Sequence, residues 1–362
     1  MAGRASLDRS FIWAALVDPE GCVVPADRDT VAAAAQRLAD LTSLALVAAL
    51  LAPLERRIGA LFDPARVEKA RLFARFQHRA HLRWIGVLAD EGVETVCIKG
   101  FANAHAFFDE PETRISGDLD VLVRPRDLAR AIAVLGARGF AFRKGEVPRW
   151  GFVSTASFAP FVSADGACNL DLHTAPDSDP LDRALDAEAV FARAREFRVG
   201  GIRFRVPSVE HALILCISNA AKDKFGAFAA NKIIDAAKLL ARASVLDRRA
   251  VEDILRRANL MRPARAFMAL LAALEVVPKG ARSWPSWLAA PPRGFAAGEF
   301  SRMVLDARAL YPAEAGNFAK FRREWLLAAE PRVALRLAGR RLAGLWRPAS
   351  GVPRFAAGRA KG

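Results

Sequence analysis

Two aspartates inside one apolar run constrain the fold of this chain more than any other feature of its sequence. Residues 114–124 read RISGDLDVLVR and place Asp118 and Asp120 at positions i and i+2. In an extended strand, this spacing points both carboxylates to one face, while leucine and valine side chains fill the opposite face. Two buried, neighbouring carboxylates need a cation to offset their desolvation and their mutual repulsion. The run therefore predicts a buried strand with a metal site, and oxygen ligands of this kind suit Mg²⁺.

The segment before this run favours the metal site over a simpler alternative. In that alternative the run is a solvated strand end, where one aspartate caps a turn and the other pairs with Arg114 or Arg124. Upstream, residues 93–98 predict an apolar strand that ends at Lys99 and Gly100, and the residues that follow have helical composition. Free backbone N–H groups at such a helix start suit a phosphate, and Lys99 adds a positive charge. For Gly100 the alternative is that it only lets the chain turn.

A third acid follows in a predicted β-hairpin. Residues 155–162 and 167–174 form its two strands, and residues 164–166 form its turn. Asp171 and His173 share one face of the second strand because they are two positions apart. If this strand lies beside the first, Asp171 completes a group of three acids around one metal site.

Further elements complete the predicted sheet region. Residues 125–138 have the pattern of an amphipathic helix that ends at Gly139, and a strand follows at residues 140–143. A second hairpin covers residues 196–206 and turns at the Gly-Gly pair 200–201.

This order of elements resembles the polymerase β-like nucleotidyltransferases. More narrowly, Lys-Gly at 99–100, Arg114, GDLDVLV at 117–123 and DLH at 171–173 resemble the bacterial uncharacterised nucleotidyltransferase family. The resemblance is strongest over about residues 90–175. It implies an α+β fold, in which a polymerase β-like core of mixed sheet and flanking helices is joined by N-terminal helices and a C-terminal helical domain.

The resemblance is weaker elsewhere and has two departures. It continues through residues 207–216 and 231–235, which are similar to the helical second half of the family. Phe101 follows Gly100 where many relatives in the wider superfamily carry serine, which leaves the details of triphosphate binding open. Asn219 stands where this family carries histidine.

The family chemistry implied by the resemblance is transfer of NMP from an NTP to an acceptor hydroxyl, with release of pyrophosphate. Asp118 and Asp120 would bridge two Mg²⁺ ions, with Mn²⁺ as the alternative ion, and Asp171 would ligate the ion nearest the acceptor and help to take its proton. The expected nucleotide-binding residues are Lys99, Gly100, Arg114, Gly117 and Lys222.

Several of these assignments keep alternatives. Arg114 either clamps the triphosphate or pairs with Asp118. His173 either orders the Asp171 carboxylate or has a structural role. In the helical half, Lys222 and Asp235 lie one helix apart and would lean over the nucleotide, and two further lysines compete with Lys222: Lys224 and Lys232.

The length of 362 residues and the apolar content of 53% predict a helix-rich globular protein with more than one packed unit. We divide the chain into an N-terminal helical region (1–90), a nucleotidyltransferase core (91–206), a helical domain (207–310) and a basic amphipathic C-terminal segment (311–362). Expected helices cover residues 31–51, 64–90, 211–221, 229–241, 248–259 and 263–274, and a long loop covers residues 278–298.

Cysteine usage and hydropathy predict a cytoplasmic protein. The four cysteines are scattered without C-x-x-C spacing, which is typical of buried thiols in a reducing compartment. The N-terminal residues lack the apolar stretch of a signal peptide, and we find no apolar run long enough to span a membrane. His78 and His81, three positions apart on a predicted helix, are interpreted as surface or interface residues because arginines surround them.

The net charge of +15 leaves the partners open. Basic residues outnumber acids most strongly after Lys320, where they alternate with apolar residues and predict one or two amphipathic helices, followed by a disordered end after Pro348. This segment packs on the protein, lies on anionic lipid as a peripheral membrane contact, or binds a polyanion such as RNA. The sequence does not predict an oligomeric state.

Three functions are consistent with these features. The first is a Mg²⁺-dependent nucleotidyltransferase that acts on a small molecule, sugar, peptide or protein. The second is an RNA- or tRNA-modifying nucleotidyltransferase of the toxin type. The third is a catalytically silent nucleotide-binding accessory module. We favour the first because charge alone says little about the acceptor and because all three acids are present.

Overall fold

The computed structural model describes residues 9–142, 161–177, 185–241, 246–277, 288, 290–313 and 316–345. Helices surround one small mixed sheet and a separate β-hairpin. This architecture confirms the predicted α+β fold class.

Four helices precede the sheet: α1 (Phe11–Ala15), α2 (Arg28–Leu41), α3 (Leu44–Ile58) and α4 (Pro64–Asp90). Asp27, Ser43 and Asp63 cap the last three, because each side chain accepts a hydrogen bond from a backbone N–H of the first turn. The single helix predicted over residues 31–51 is therefore two helices, which separate at the capping Ser43.

The sheet contains β1 (Thr95–Cys97), β2 (Leu119–Val123), β3 (Ala141–Phe142), β4 (Phe161–Val162) and β5 (Asn169–His173). Its spatial order is β1-β2-β5-β4-β3. Strands β2 and β5 pair in parallel, while the other neighbours pair antiparallel. The predicted hairpin is present as β4 and β5, with Gly166 in the left-handed region of its turn. Its predicted residues 155–160, and residue 143 of the predicted third strand, lie outside the described residues.

The parallel register of β2 and β5 decides the position of the third acid. Asp120 lies directly opposite Asp171, and Leu119 lies opposite Leu170. All five residues of β2 are buried, which agrees with the buried strand predicted from the apolar run. The strand that carries Asp171 therefore lies beside the strand that carries Asp120, as the prediction of a third acid at the site requires.

Short helices and a hairpin flank the sheet. Helix α5 (Lys99–Phe107) follows β1, a 3-10 turn and α6 (Leu128–Gly136) replace the helix expected over residues 125–138, and α7 (Ala187–Ala192) precedes the hairpin. That hairpin pairs β6 (Arg195–Val199) with β7 (Ile202–Val206). Its turn places both Gly200 and Gly201 at positive φ, 54° and 84°, as a tight hairpin turn requires.

The helical half contains α8 (Val209–Lys222), α9 (Ala230–Ala241), α10 (Arg248–Arg257), α11 (Met261–Ala273), α12 (Phe295–Arg308), α13 (Asn317–Arg323), a π-helical turn (Glu324–Ala328) and α14 (Pro331–Leu345). Ser208 caps α8 as predicted, since its hydroxyl accepts from the His211 N–H. Helix α12 begins inside the loop predicted over residues 278–298, of which residues 278–287 and 289 lie outside the described part.

One cluster of buried hydrophobic side chains extends from Ile12 to Leu337. Helix α8 lies deep within it, because every residue from Val209 to Ala221 is buried. A helix that is buried on all sides is a rigid element, and α8 ends at Lys222, which lies beside the candidate active site. The division of the chain into four regions stays a prediction.

The basic C-terminal segment packs part of its apolar surface on the protein. Helix α14 buries Val333, Ala334 and Leu337, while Leu335 and Leu342 are exposed. This supports the first of the three interpretations for the described residues, and contact with lipid or RNA stays a prediction. The disordered end predicted after Pro348 lies outside the described part of the chain.

The structure also bears on the predictions for the cysteines, for His78 and His81, and for membrane-spanning helices. All four cysteines are buried free thiols. His81 is buried rather than at the surface, and His78 stacks on the ring of Phe101 with centroids 5.5 Å apart. Of the predicted surface or interface positions, the surface position was wrong for His81, because its ring packs against Phe101 with centroids 5.9 Å apart. Among the described helices, we find none whose length and hydropathy would allow it to cross a bilayer.

Candidate active site

Three potential metal ligands converge where β2 and β5 lie side by side. Asp120, Asp171 and His173 each offer one ligand atom, and these atoms all lie within 4.8 Å of one another. The register explains this convergence, since Asp120 is opposite Asp171 and His173 follows two positions later on the same strand. Two carboxylates and one imidazole form a donor set that can hold a divalent cation.

Asp118 belongs to the same electrostatic group although it lies outside that converging trio. It precedes β2 and is half-buried. Burial and the charge of Asp120 raise the pKa of Asp118. Burial, with the charges of Asp120 and Asp118, raises the pKa of Asp171 to about 7. The three predicted acids therefore repel one another, and a cation bound between them would relieve that repulsion.

Lys99 supplies positive charge to this group. Its Nζ forms an ion pair with Asp120 Oδ1 and lies 3.4 Å from His173 Nε2. Burial opposes ionisation of both partners, but the Lys99 ammonium and the His173 hydrogen bond hold the pKa of Asp120 below its usual range. Burial likewise opposes the charge of Lys99, yet Asp120 raises its pKa. Asp120 is therefore a carboxylate and Lys99 an ammonium near neutral pH.

His173 contacts Asp120 and not Asp171, so of its two predicted roles the structure does not support the ordering of Asp171 and leaves the structural role. Its Nε2 lies 2.7 Å from Asp120 Oδ1, which is hydrogen-bonding distance. Burial and the nearby Lys99 charge lower the pKa of His173, so that the imidazole is neutral at neutral pH, the form that binds metals. The sequence analysis did not include His173 among the potential metal ligands, although its two-residue spacing from Asp171 was the available signal.

The polar atoms left over at this site fit a bound cation. Asp171 Oδ1 and His173 Nδ1 are buried and have no hydrogen-bond partner among the described residues. An unsatisfied buried acceptor costs about 1–3 kcal/mol, so such atoms call for a ligand. Oxygen donors from Asp120 and Asp171 suit Mg²⁺ or Mn²⁺, and the neutral imidazole is compatible with Mn²⁺ as well.

The turn into α5 differs from its prediction in detail. The residue with left-handed backbone is Lys99, at φ 59°, and not Gly100. Gly100 serves a different purpose, because a Cβ there would lie 2.5 Å from Ser116 Oγ and 3.1 Å from Ser116 Cβ. The glycine thus permits close contact with the segment that leads to Asp118. A non-glycine residue at positive φ stores strain, which is characteristic of functional sites.

These residues open into one cavity of about 420 Å³. It is bounded by the first turn of α5, by the segment before β2, and by the ends of α8 and α9 that face each other. Asp171 is not one of its lining residues and adjoins it through Asp120. The cavity brings together these predicted site residues: Lys99, Gly100, Arg114, Gly117, Asp118, Asp120 and Lys222.

Arg114 pairs with Asp235 and not with Asp118. Its Nε lies 2.7 Å from Asp235 Oδ1 and its Nη2 lies 2.9 Å from Asp235 Oδ2, which is a bidentate pair between buried side chains. Nη1 donates to the Ile115 carbonyl over 2.6 Å. Asn103 Nδ2 donates to Asp235 Oδ2 over 3.0 Å. The pair joins the segment before β2 to α9 across the floor of the cavity, while a contact between Arg114 and triphosphate stays a prediction.

Among the three candidate lysines, the geometry favours Lys222. Lys232 Nζ donates to Asp223 Oδ2 over 2.9 Å, and Lys224 pairs with Glu324 at 3.5 Å. Within the described part of the chain, Lys222 lines the cavity and has no ion-pair partner there. Its charge opposes the rise in the pKa of Asp171 that burial and the neighbouring acids cause, so it acts on the acidic group from the helical side. Contact between Lys222 and nucleotide stays a prediction.

Comparison with known proteins identifies the family. The family model described as uncharacterised nucleotidyltransferase matches residues 30–274, which is more than half of the 362 residues. The chain belongs to this family. The match confirms the resemblance and includes all the residues of the acidic group and the cavity, so this nucleotidyltransferase carries its candidate site within the matched part. No curated protein and no solved structure matches the chain.

Proposed function

We propose that this nucleotidyltransferase is Mg²⁺-dependent and transfers NMP from an NTP to an acceptor hydroxyl, with release of pyrophosphate. The acceptor in this proposal is a small molecule, a sugar, a peptide or a protein. The observation that carries the proposal is the convergence of Asp120, Asp171 and His173 beside the Lys99 ammonium, in a chain of this family.

The acidic group would hold the metal. Asp120 and Asp171 are its ligands in this proposal, His173 supports or joins them, and Asp118 is a further ligand if two ions bind. When bound, Mg²⁺ or Mn²⁺ supplies stabilisation of the charge that develops on the phosphate oxygens and lowers the pKa of the acceptor hydroxyl. Asp171 helps to take the proton of that hydroxyl, as the resemblance implies.

The cavity residues would hold the triphosphate. Helix α5 has no side-chain cap at its N-terminus among the described residues, so its first N–H groups are available to phosphate oxygens. Gly117 and Gly100 keep this part of the cavity open, since neither has a side chain. Lys222, from the end of α8, adds charge on the opposite side, and Lys99 adds it beside Asp120.

The deciding experiment measures pyrophosphate release from each of the four NTPs with Mg²⁺, alone and with a metabolite extract, a protein extract or total RNA. We expect release with at least one nucleotide and acceptor fraction. Asp118→Asn and Asp120→Asn should each lower the rate by at least about 100-fold, because each removes a carboxylate of the group that would hold the metal. Asp253→Asn, an exposed acid on α10, is the matched control and should keep the wild-type rate.

The net charge of +15 supports a second candidate, in which the acceptor is RNA. It predicts that RNA becomes labelled from α-labelled NTP, and that added salt suppresses the labelling strongly because basic side chains release counterions when they bind phosphate. Nucleotide binding without pyrophosphate release in any fraction would instead support the accessory-module alternative and contradict the proposal.

A further inference from the structure

One aromatic ring stands in solvent at the edge of the cavity. Phe228 is 72% exposed, and it is the one aromatic side chain that lines the cavity within the described residues. Phe225, three positions earlier, is fully buried. Single exposed apolar side chains are common on protein surfaces, so exposure alone says little about Phe228. Its position at the edge of a charged cavity points to a ligand, because a bound ring would bury it.

The backbone holds this ring in a fixed place. Phe228 lies in the 3-10 turn Ala227–Ala229, between α8 and α9. Lys232 Nζ donates to the Phe228 carbonyl over 2.8 Å and to Asp223 Oδ2 over 2.9 Å. The Gly226 N–H donates to the Asp223 carbonyl over 3.0 Å. The turn is thus tied to the helices on both sides, so the exposed ring does not belong to a loosely attached loop.

The segment between α8 and this turn stores backbone strain. Lys224 and Phe225 both have a φ of 52°, and neither is a glycine. The buried Phe225 ring, stacked on Phe267 with centroids 6.4 Å apart, anchors this conformation in the core. Strained turns of this kind persist where the surrounding structure fixes them, and they cluster at ligand-binding sites.

The two ends of the cavity differ in chemistry. At the sheet end lie Lys99, Asp118 and Asp120, which suit a metal-bound phosphate chain. The helical end is also lined by charged side chains: Lys222, Asp223 and Lys232. It differs from the sheet end because it carries an aromatic ring, Phe228, and the half-buried amide of Asn231, which follows it on α9. A volume of about 420 Å³ is within the range of small-molecule sites. A ligand that matches both ends carries phosphates at one end and a flat, hydrogen-bonding ring at the other.

We propose that Phe228 is the stacking platform for the nucleobase of the bound NTP, and that Asn231 hydrogen-bonds to the edge of that base. This inference rests on the proposed function and assigns the base end of its substrate. Stacking tolerates any base because every base has a π face, whereas an amide can both donate and accept hydrogen bonds and thus distinguish one base edge from another.

The test compares two ligands in the full chain with Mg²⁺: each NTP, and inorganic tripolyphosphate, which has no base. Isothermal titration calorimetry measures both dissociation constants for the wild type, Phe228→Ala and Phe228→Trp. We expect Phe228→Ala to weaken NTP binding by about 10- to 100-fold and to leave tripolyphosphate binding unchanged, because only the base stacks. Phe228→Trp should retain NTP binding. Unchanged tripolyphosphate binding also shows that the variant is folded.

Phe318→Ala is the matched control, because Phe318 is 74% exposed on α13 and does not line the cavity. It should behave as the wild type. Asn231→Ala should reduce the differences in affinity among the four NTPs.

NTP binding that is equal in wild type and Phe228→Ala overturns the inference alone and leaves the proposed function standing. An equal loss of NTP and tripolyphosphate binding in Phe228→Ala also overturns it, whereas a wild type that binds no NTP overturns the proposed function with it.

Discussion

At the scale of single residues, the candidate active site holds its side chains closer to one another than they would lie in water. Asp120 and Asp171 are neighbours across two strands, and the Lys99 ammonium lies against the first of them. Gly100 also lies close to Ser116, because a Cβ at position 100 would be 2.5 Å from Ser116 Oγ. Each contact holds a side chain in the orientation that the acidic group needs, so small changes here should have large effects on activity.

Gly100→Ala should lower the rate of nucleotidyl transfer by about 10- to 100-fold. The new methyl group would meet Ser116 2.5 Å away and displace the segment that carries Asp118, and a shift of about 1 Å at a catalytic group can cost that much. Gly298→Ala on α12 is the control, because a Cβ there meets nothing within 4 Å. Steady-state kinetics of both variants make the comparison, and an unimpaired Gly100→Ala would contradict the role given to this contact.

His81 should make the protein less stable in mild acid. Burial lowers its pKa from 6.5 to about 4, while the unfolded chain keeps the higher value. Between these two values the unfolded state binds the extra proton, so the free energy of unfolding falls as pH falls, by about 3 kcal/mol when complete. His81 is 2% exposed, so solvent screens this effect little.

His81→Phe removes that titration and should reduce the slope between pH 6.5 and pH 4, while His105, whose pKa burial also lowers to about 4, keeps part of it. Urea unfolding followed by circular dichroism at several pH values measures it. The same slope in the variant and the wild type would mean that other groups cause the acid instability.

At the scale of elements, the Arg114–Asp235 pair is the principal polar connection between the sheet region and the helical half at the cavity floor. Its partners are 121 positions apart, and both side chains are buried. A buried pair adds little net stability as such, but the loss of one partner leaves an unpaired charge inside the protein. The pair therefore specifies how the segment before β2 sits against α9.

Arg114→Met should lower the free energy of unfolding by about 3–5 kcal/mol, because Asp235 is then buried without its cation. The double variant Arg114→Met with Asp235→Leu should recover much of that loss. Denaturant unfolding of the single and double variants measures both values. For comparison, Arg256→Met breaks the Arg256–Glu252 pair within α10 and should cost less than about 0.5 kcal/mol, since the arginine of that pair is exposed. A double variant as unstable as the single variant would rule out the unpaired charge as the cause.

At the scale of the whole molecule, metal binding should couple to stability. The acidic group lies on the central strands of the sheet, within the continuous hydrophobic core, so a cation that binds only the folded state stabilises the whole fold. At a Mg²⁺ concentration of about 100 times its Kd, we expect the free energy of unfolding to rise by about 2.7 kcal/mol.

Thermal unfolding with Mg²⁺ and with EDTA measures this increment. Asp171→Asn should abolish the difference between the two conditions, although the variant itself loses a repulsive charge and should be no less stable than the wild type in EDTA. Asp253→Asn should keep the wild-type difference. An increment of equal size in Asp171→Asn would place the bound ion elsewhere in the molecule.

The features that depend on near neighbours along the chain could be predicted from the amino-acid sequence alone. Alternation of apolar and acidic residues predicts β2 and β5, the Gly-Gly turn predicts the hairpin of β6 and β7, and Ser208 predicts the start of α8. The two-residue spacings of Asp118–Asp120 and Asp171–His173 likewise indicate the acidic group. These signals are local because side-chain periodicity, capping and turn geometry are properties of a few consecutive residues.

Which of these groups meet depends on how the chain packs in three dimensions. The parallel pairing of β2 and β5 places Asp120 opposite Asp171 and brings His173 to Asp120. The partner of Arg114 and the exposure of Phe228 follow from how α8 and α9 pack against the sheet region. The physical reason is that register, long-range ion pairs and burial are set by the free energy of the packed molecule, to which residues far apart in sequence contribute together.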